Sequence, residues 1–317
     1  MMESPYYLTH KYPPQKDAAN RHILKGPYCY NSIKKHLLSY LLIMAIIVFS
    51  AILLFGLMQQ SLKITEYNIT STALPIEFDG YRIAHISDFH SGLFSGSASD
   101  IIKAVSEQSP NIICLTGDMV DSTTVDDSTT CDFSSVEDLI SGLSSIAPVY
   151  AVSGNNEHYD PSINETMEYV YRKYGVHIMD GKTMTIYNEG AALTMSGIAD
   201  RRKRNILLSR EALALKQNHV KEGFGILLYH RANEYDALAE AGYDLVLSGH
   251  THGGIIRLPL IGGVLAPDGD LFPRYSGGLY EVNGAWLVSN KGVADNNLIP
   301  RIYNPPEIVS ITLHAGA

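Results

Sequence analysis

The feature that most restricts what this chain can fold into is the way its short apolar runs end. From Tyr81 onward they stop repeatedly at Asp, Asn, Gly or His. Arg82–Ser87 stops at Asp88, Asn111–Thr116 at Gly117-Asp118, and Val149–Val152 just before Gly154-Asn155. Gly225–Leu228 leads to His230, and Leu245–Leu247 to Gly249-His250. Runs this short and this apolar read as buried strands. Between them, Ala98–Glu107, Val136–Leu143, Ile163–Tyr174 and Glu234–Ala241 carry helical patterns. Shorter strands are expected at His177–Met179, Met184–Tyr187 and Ala192–Ser196. The glycine-punctuated last third adds Ile255–Leu258, Leu279–Val282, Trp286–Val288 and Ile308–Leu313. Asp121–Ser135, crowded with Asp, Ser and Thr, reads as a surface loop. Strands alternating with helices predict an α/β sandwich, in which the carboxyl ends of neighbouring strands meet on one rim. A functional site belongs on that rim, and a hydrophobic content of 45% is enough for a substantial core.

Five polar clusters sit at these strand ends: Asp88-Phe89-His90, Gly117-Asp118-Met119-Val120-Asp121, Gly154-Asn155-Asn156-Glu157, His230, and Gly249-His250-Thr251-His252-Gly253-Gly254. Singly, each is an ordinary turn or core histidine. Jointly they are not ordinary, because every one supplies a group able to bind a divalent cation. Carboxylates, an amide oxygen and imidazoles form a mixed O/N set suited to Mn²⁺, Fe²⁺ or Zn²⁺ more than to Ca²⁺. The three cysteines contain no Cys-x-x-Cys pair, which excludes a thiolate zinc site. His85, inside the first strand, reads as packing or as support for a ligand, and His177 and His219 fall outside every cluster. The net charge of -9 argues against nucleic acid as a partner.

The ordered series Asp-x-His, Gly-Asp-x-x-Asp, Gly-Asn-x-Glu, lone His and Gly-His-x-His is similar to that of the calcineurin-like metallophosphoesterase superfamily, over roughly residues 81–315. Ser248–Pro259 and Asn304–Ile308 resemble its bacterial membrane-associated branch in particular. The resemblance implies a metallophosphoesterase-type β-sandwich flanked by helices, working as a binuclear hydrolase of phosphoester or phosphoanhydride bonds. It implies that Asp88, His90 and His252 bind one metal ion, that Asn155, His230 and His250 bind the other, and that Asp118 bridges them. Two cations a few Å apart repel, so a shared carboxylate is also the natural group to place between them. Asp121 reads as a residue orienting a ligand, or equally as a cap or turn.

One position departs from the family pattern. Where the family usually has Gly-Asn-His, this chain has Gly154-Asn155-Asn156, so an amide stands in place of a catalytic imidazole. Asn156 can donate a hydrogen bond to a phosphoryl oxygen but delivers no proton, and lost general acid catalysis costs about 10² to 10⁴ in rate. Three explanations stand open. His158 reaches the same spot from a shifted loop, the substrate has a leaving group that needs little protonation, or the site binds without fast turnover. The last is the alternative reading, a metal-dependent binding or regulatory protein.

Upstream, Leu37–Met58 is an uncharged run of 22 residues. As a helix it would be about 33 Å long, matching a bilayer core. It is expected to remain as a single-pass cell-membrane anchor. Arg21, Lys25, Lys34 and Lys35 precede it, and Lys63 follows. That asymmetry places the tail 1–36 in the cytoplasm and the catalytic domain, residues 81–317, outside it, beyond a linker over 59–80. Tethering favours a phosphate-containing substrate that is lipid-linked or derived from the envelope; no protein partner is inferred. Leu258–Leu265 and Leu271–Pro273 are expected to be hairpin core, or else to flank the mouth of the site.

Overall fold

A computed structural model describes residues 27–58, 61–91, 93, 96–121, 133–201, 205–219, 223–294 and 299–316. The first element, α1 (Pro27–Met58), begins ten residues before the expected span. Its apolar stretch Lys34–Phe55 has a mean hydropathy of 2.8 and none of its length is buried. Apolar side chains point outward on every side of it, from Leu37 to Phe55. A helix without a polar face satisfies its own backbone groups and suits a surrounding as apolar as itself.

The globular part runs β1 (Lys63–Ser71), β2 (Tyr81–Ile86), α2 (Ala98–Gln108), β3 (Ile112–Leu115), α3 (Phe133–Ser144), β4 (Val149–Ala151), α4 (Pro161–Lys173) and β5 (His177–Ile178). It continues with β6 (Lys182–Asn188), β7 (Ala191–Ile198), α5 (Asn205–Lys216), β8 (Gly225–Arg231), α6 (Tyr235–Leu238) and β9 (Leu245–Gly249). β10 (Arg257–Leu258), β11 (Gly262–Gly263), β12 (Gly278–Val282), β13 (Ala285–Ser289) and β14 (Glu307–Ala315) complete it. Two six-stranded sheets result, ordered β1-β14-β2-β3-β4-β5 and β12-β13-β9-β8-β7-β6. In the first, β2 to β5 are parallel and β14 runs against β2; in the second, β7, β8, β9 and β13 are parallel between antiparallel edges.

Strand periodicity decides which side chains go where. Ile83, Ile112 and Cys114 point into the space between the sheets and meet Met195, Ile226, Leu228, Leu245 and Leu247. Ala84, Ile86, Ile113 and Leu115 point the other way, under α2, α3 and α4. Leu227, Tyr229 and Val246 do the same beneath α5 and α6. The protein is therefore an α/β sandwich of two mixed sheets flanked by helices, as the alternation predicts. Local signals fix the helix starts. Ser97 and Asp100 form a capping box on α2, with Asp100 accepting from the Ser97 backbone at 2.8 Å, and Asp160 caps α4 ahead of Pro161.

Several expectations give way. The stretch expected as linker contains β1, nine residues paired in parallel with β14 from Lys63↔Glu307 to Ser71↔Ala315. Only Ile69 of that strand is fully buried, so its apolar signal is faint. The expected helix Glu234–Ala241 breaks into a 3₁₀ turn, the four-residue α6 and a second 3₁₀ turn, while α5 has no counterpart in the sequence reading. Ile255–Leu258 shrinks to Arg257–Leu258, because Ile255 adopts φ 44° and turns the chain. Residues 1–26 of the expected tail, and 122–132 of the Asp121–Ser135 loop, lie outside the described residues.

Candidate metal centre

The rim where β2, β3, β8 and β9 end gathers two groups of side chains. Asp88, His90 and His252 form one, and Asp118, His230 and His250 the other. Within each, the available ligand atoms lie within 4.8 Å of one another. All six residues are buried, none more than 8% exposed. His90 Nε2 faces His252 Nε2 at 3.1 Å, and His230 Nε2 faces His250 Nδ1 at 3.2 Å. His252 Nε2 stands 3.4 Å from Asp88 Oδ1, and His230 Nε2 3.3 Å from Asp118 Oδ2. Asp118 Oδ2 is also 3.8 Å from His90 Nε2, so this carboxylate touches both groups.

The backbone is bent to bring them there. Asp88 (φ 52°), His90 (φ 40°), Asp118 (φ 52°), His250 (φ 72°) and His252 (φ 47°) all occupy the left-handed region, which costs a residue with a Cβ on the order of 1–3 kcal/mol. Five such residues on one rim mark a site whose surroundings over-determine it. Two glycines make the close approach possible. A Cβ on Gly154 would collide with the Asp118 carboxylate, and one on Gly249 with Ser87 and Asp88. That is the physical content of Gly before Asn155 and Gly before His250.

Glu157 ties two of these turns together. Its carboxylate accepts backbone N–H groups from Asp118 at 2.9 Å, Met119 at 2.7 Å and Gly154 at 2.7 Å. Burial and the adjacent Asp118 carboxylate push its carboxyl up to about 7, against the pull of those hydrogen bonds. Burial works to raise Asp88 and Asp118 as well, yet the histidines around them hold both well below the usual carboxylate range. Burial also works to lower His230, and Asp118 and Asp88 beside it win, raising it to about 10. The rim is a buried cluster of anions and ring nitrogens that calls for positive charge.

The donor set fits divalent ions. His230 Nδ1 lies 2.7 Å from the Thr116 carbonyl and donates to it, so Nε2 is the nitrogen that faces Asp118 and His250 and that an ion would take in place of a proton. Ligand bonds of ~2.1 Å put neighbouring donors of one ion ~3.0–3.5 Å apart, the spacing of the facing ring nitrogens. Asn155 stands beside the second group through Arg231, whose Nη2 donates to Asn155 Oδ1 at 3.1 Å and whose Nη1 lies 2.8 Å from His250 Nε2.

Asn156 is held rather than free. Its backbone N–H donates to Asp118 Oδ1 at 2.8 Å, and its amide nitrogen reaches His90 Nδ1 at 3.0 Å and the Val120 carbonyl at 3.1 Å. His158 lies elsewhere: it borders a cavity of about 360 Å³ with Asn155, Tyr159 and Arg201, and a second of about 460 Å³ that includes Glu168 and Arg172. Its Nε2 is buried without a hydrogen-bond partner. Burial lowers its ring pKa, while Asp180 acts to raise it. Asp121 is close enough to His90 to act on its charge. His85 Nε2 pairs with Thr116 Oγ1 at 2.8 Å in the core, His177 stacks on Tyr150, and His219 packs against Tyr243.

Three residues were not foreseen. Glu157 lay inside a motif without a role, although the Glu of Gly-Asn-x-Glu was a visible signal. Arg231 follows His230 directly, its Nε donating to the buried Asp200 at 2.6 Å. Asp268 brings a carboxylate oxygen to 3.4 Å from His250 Nε2 from a distant loop, with no signal in the sequence.

The calcineurin-like phosphoesterase sequence profile matches residues 81–254. The chain is 29% identical over 265 residues to the metallophosphoesterase YkuE of Bacillus subtilis, covering 80% of this chain and 85% of that protein. It is 27% identical over 216 residues to the phosphodiesterase YaeI of Escherichia coli, covering 67% and 75%. A metallophosphoesterase of Aquifex aeolicus is 27% identical over 261 residues, covering 80% and 92%. With that profile matching more than half of the chain and its Asp and His groups gathered on one rim, the chain belongs to the calcineurin-like phosphoesterase family, hydrolases acting on phosphoester bonds.

Proposed function

We propose that this protein is a membrane-anchored binuclear hydrolase, of the family's bacterial membrane-associated branch, that cleaves a phosphoester or phosphoanhydride in a lipid-linked or envelope-derived substrate. The observation that carries the reading is the pair of buried Asp/His groups meeting at Asp118. Asp88, His90 and His252 would hold one ion, Asn155, His230 and His250 the other, and Asp118 both. Held by these residues, Mn²⁺, Fe²⁺ or Zn²⁺ would supply Lewis-acid chemistry, lowering the pKa of water toward neutrality and drawing charge from phosphoryl oxygens.

The protein's own groups do the rest. Asp268 and Arg231 both stand against His250 Nε2 and leave its Nδ1 facing inward, while the Thr116 carbonyl accepts from His230 Nδ1 and leaves that ring's Nε2 facing inward. Arg231, steadied by Asp200, presents a planar cation beside Asn155, where it binds a phosphoryl oxygen. Asn156 keeps His90 in place and hands over no proton. The leaving group is therefore one that departs unprotonated, as a phosphoanhydride does. His158 faces the adjoining cavities and would serve there as donor to the distal part of the substrate. The helix Lys34–Phe55 supports the anchor, with Lys34 and Lys35 on its cytoplasmic side and the catalytic domain outside the cell membrane.

Purified full-length protein loaded with Mn²⁺ should bind two ions per chain and hydrolyse an aryl phosphodiester or a lipid pyrophosphate, and Asp118→Asn should abolish both. Asn156 favours a second reading, a metal-dependent binding or regulatory protein of the envelope. Full metal loading without turnover of any ester or anhydride would select that reading.

A further inference from the structure

Two neighbouring loops beyond the metal centre turn their apolar side chains outward. At the end of β10 and in the turn that follows it, Leu258, Leu260 and Ile261 are 41%, 108% and 61% exposed; in the next loop, Leu271 and Phe272 are 69% and 60% exposed. The hairpin-core expectation for Leu258–Leu265 and Leu271–Pro273 fails at these five residues. The two loops are tied to each other: Leu265 bridges Leu271, and the Phe272 N–H donates to the Val264 carbonyl at 2.8 Å. Leu260 (φ 68°) and Phe272 (φ 53°) also sit in the left-handed region, where Gly or Asn is the usual occupant. Backbone strain and apolar exposure thus coincide at both tips, and neither has a return within the fold.

The same segment belongs to the site. Asp268, between the two tips, faces His250, and the Val264 N–H donates at 3.2 Å to the carbonyl of Gly254, two residues on from His252 in the chain. Connectivity names the partner. Residues 59–62 alone separate α1, with its 22-residue apolar stretch, from β1. Five peptide steps reach at most about 18 Å, so the domain stays beside whatever surface α1 enters.

We propose that the tips 258–261 and 271–272 enter the interfacial layer of a lipid bilayer, and so hold the metal centre at the level of headgroup phosphates. The proposal rests on α1 being retained as a membrane span. It goes beyond anchoring, because it gives the catalytic domain a membrane-facing side and couples that side to His250 through Asp268.

Leu260→Trp and Phe272→Trp are introduced separately into the full chain and reconstituted in phosphatidylcholine–phosphatidylglycerol vesicles. The parent protein, with Trp286 alone, is the baseline. Each added tryptophan is expected to emit at shorter wavelength and to lose emission when the acyl chains are brominated. Emission like that of an exposed indole, unchanged by bromination in both variants, overturns the proposal. So does a blue shift that bromination leaves alone and dilution removes, since that marks contact between two copies. Alkaline carbonate extraction of the same vesicles separates the premises. Protein retained but unquenched sinks only the docking, whereas protein released into the supernatant sinks the anchor as well.

Discussion

Arg231 and Asn156 divide the rim's chemistry between them. Arg231 is fixed by Asp200 on one edge and turns its other nitrogens toward Asn155 and His250, so its planar fork is set before any phosphate arrives. Arg231→Lys keeps the charge and loses the fork. A charge-assisted hydrogen bond contributes about 1.5–3 kcal/mol, so kcat/KM should fall roughly 10- to 100-fold, carried mainly by KM, with two ions still bound. An unchanged KM would remove Arg231 from phosphate binding. Asn156→His restores a proton donor beside His90, and it should raise turnover of alkyl phosphoesters more than of aryl ones; equal gains on both would refute the leaving-group argument. The candidate ligands Asp88, His90, Asp118, His230, His250 and His252 were legible because each follows a buried run in a small motif. Arg231 and Asp268 were not, since one looked like the polar end of a strand and the other reaches the rim from 18 positions further along the chain, past β10 and β11.

At the level of elements, legibility tracked burial. β2, β3, β8 and β9 lie inside sheets and read as continuous apolar runs, whereas β1 lies at a sheet edge with one buried side chain. α5 was hidden for a related reason. Leu207 and Leu213 are exposed while Leu208, Ala212 and Leu215 are buried, so its apolar residues spread around the helix instead of marking one face. The turns after β3 and β4 form a single unit, because Glu157 accepts N–H groups from both. Glu157→Gln swaps one accepting oxygen for a donor and leaves a buried N–H unpaired. The expected cost is about 1–3 kcal/mol in urea unfolding, with weaker Mn²⁺ binding as Asp118 shifts. Stability and metal affinity both equal to the parent would refute the tie. Gly154→Ala acts on the same unit from the other side, driving a Cβ into the Asp118 carboxylate, and should lose metal before it loses fold.

For the whole molecule, the question is where the catalytic domain begins. Motifs alone put its start at Tyr81, and the sheet puts it earlier. β1 covers the open edge of β14 over nine residue pairs, and Thr65 Oγ1 donates to Glu307 Oε2 at 2.6 Å. Glu307 is fully buried, and its other partner is Lys291, whose ammonium lies 2.5 Å away. β14 in turn pairs with β2, the strand that delivers Asp88 and His90. A chain shortened to start at Tyr81 would leave a long strand edge unpaired and Glu307 short of a hydroxyl partner. At about 0.5–1.5 kcal/mol net for each lost backbone bond, the deficit is on the order of 5 kcal/mol, comparable to the whole stability of many domains. A chain starting at Ser61 should melt in one cooperative transition and bind Mn²⁺. One starting at Tyr81 should melt far lower or aggregate through the bared edge. Matching calorimetric transitions for the two would show that β1 is dispensable, and that the sheet supporting the metal centre is set by β2 and its inner neighbours alone.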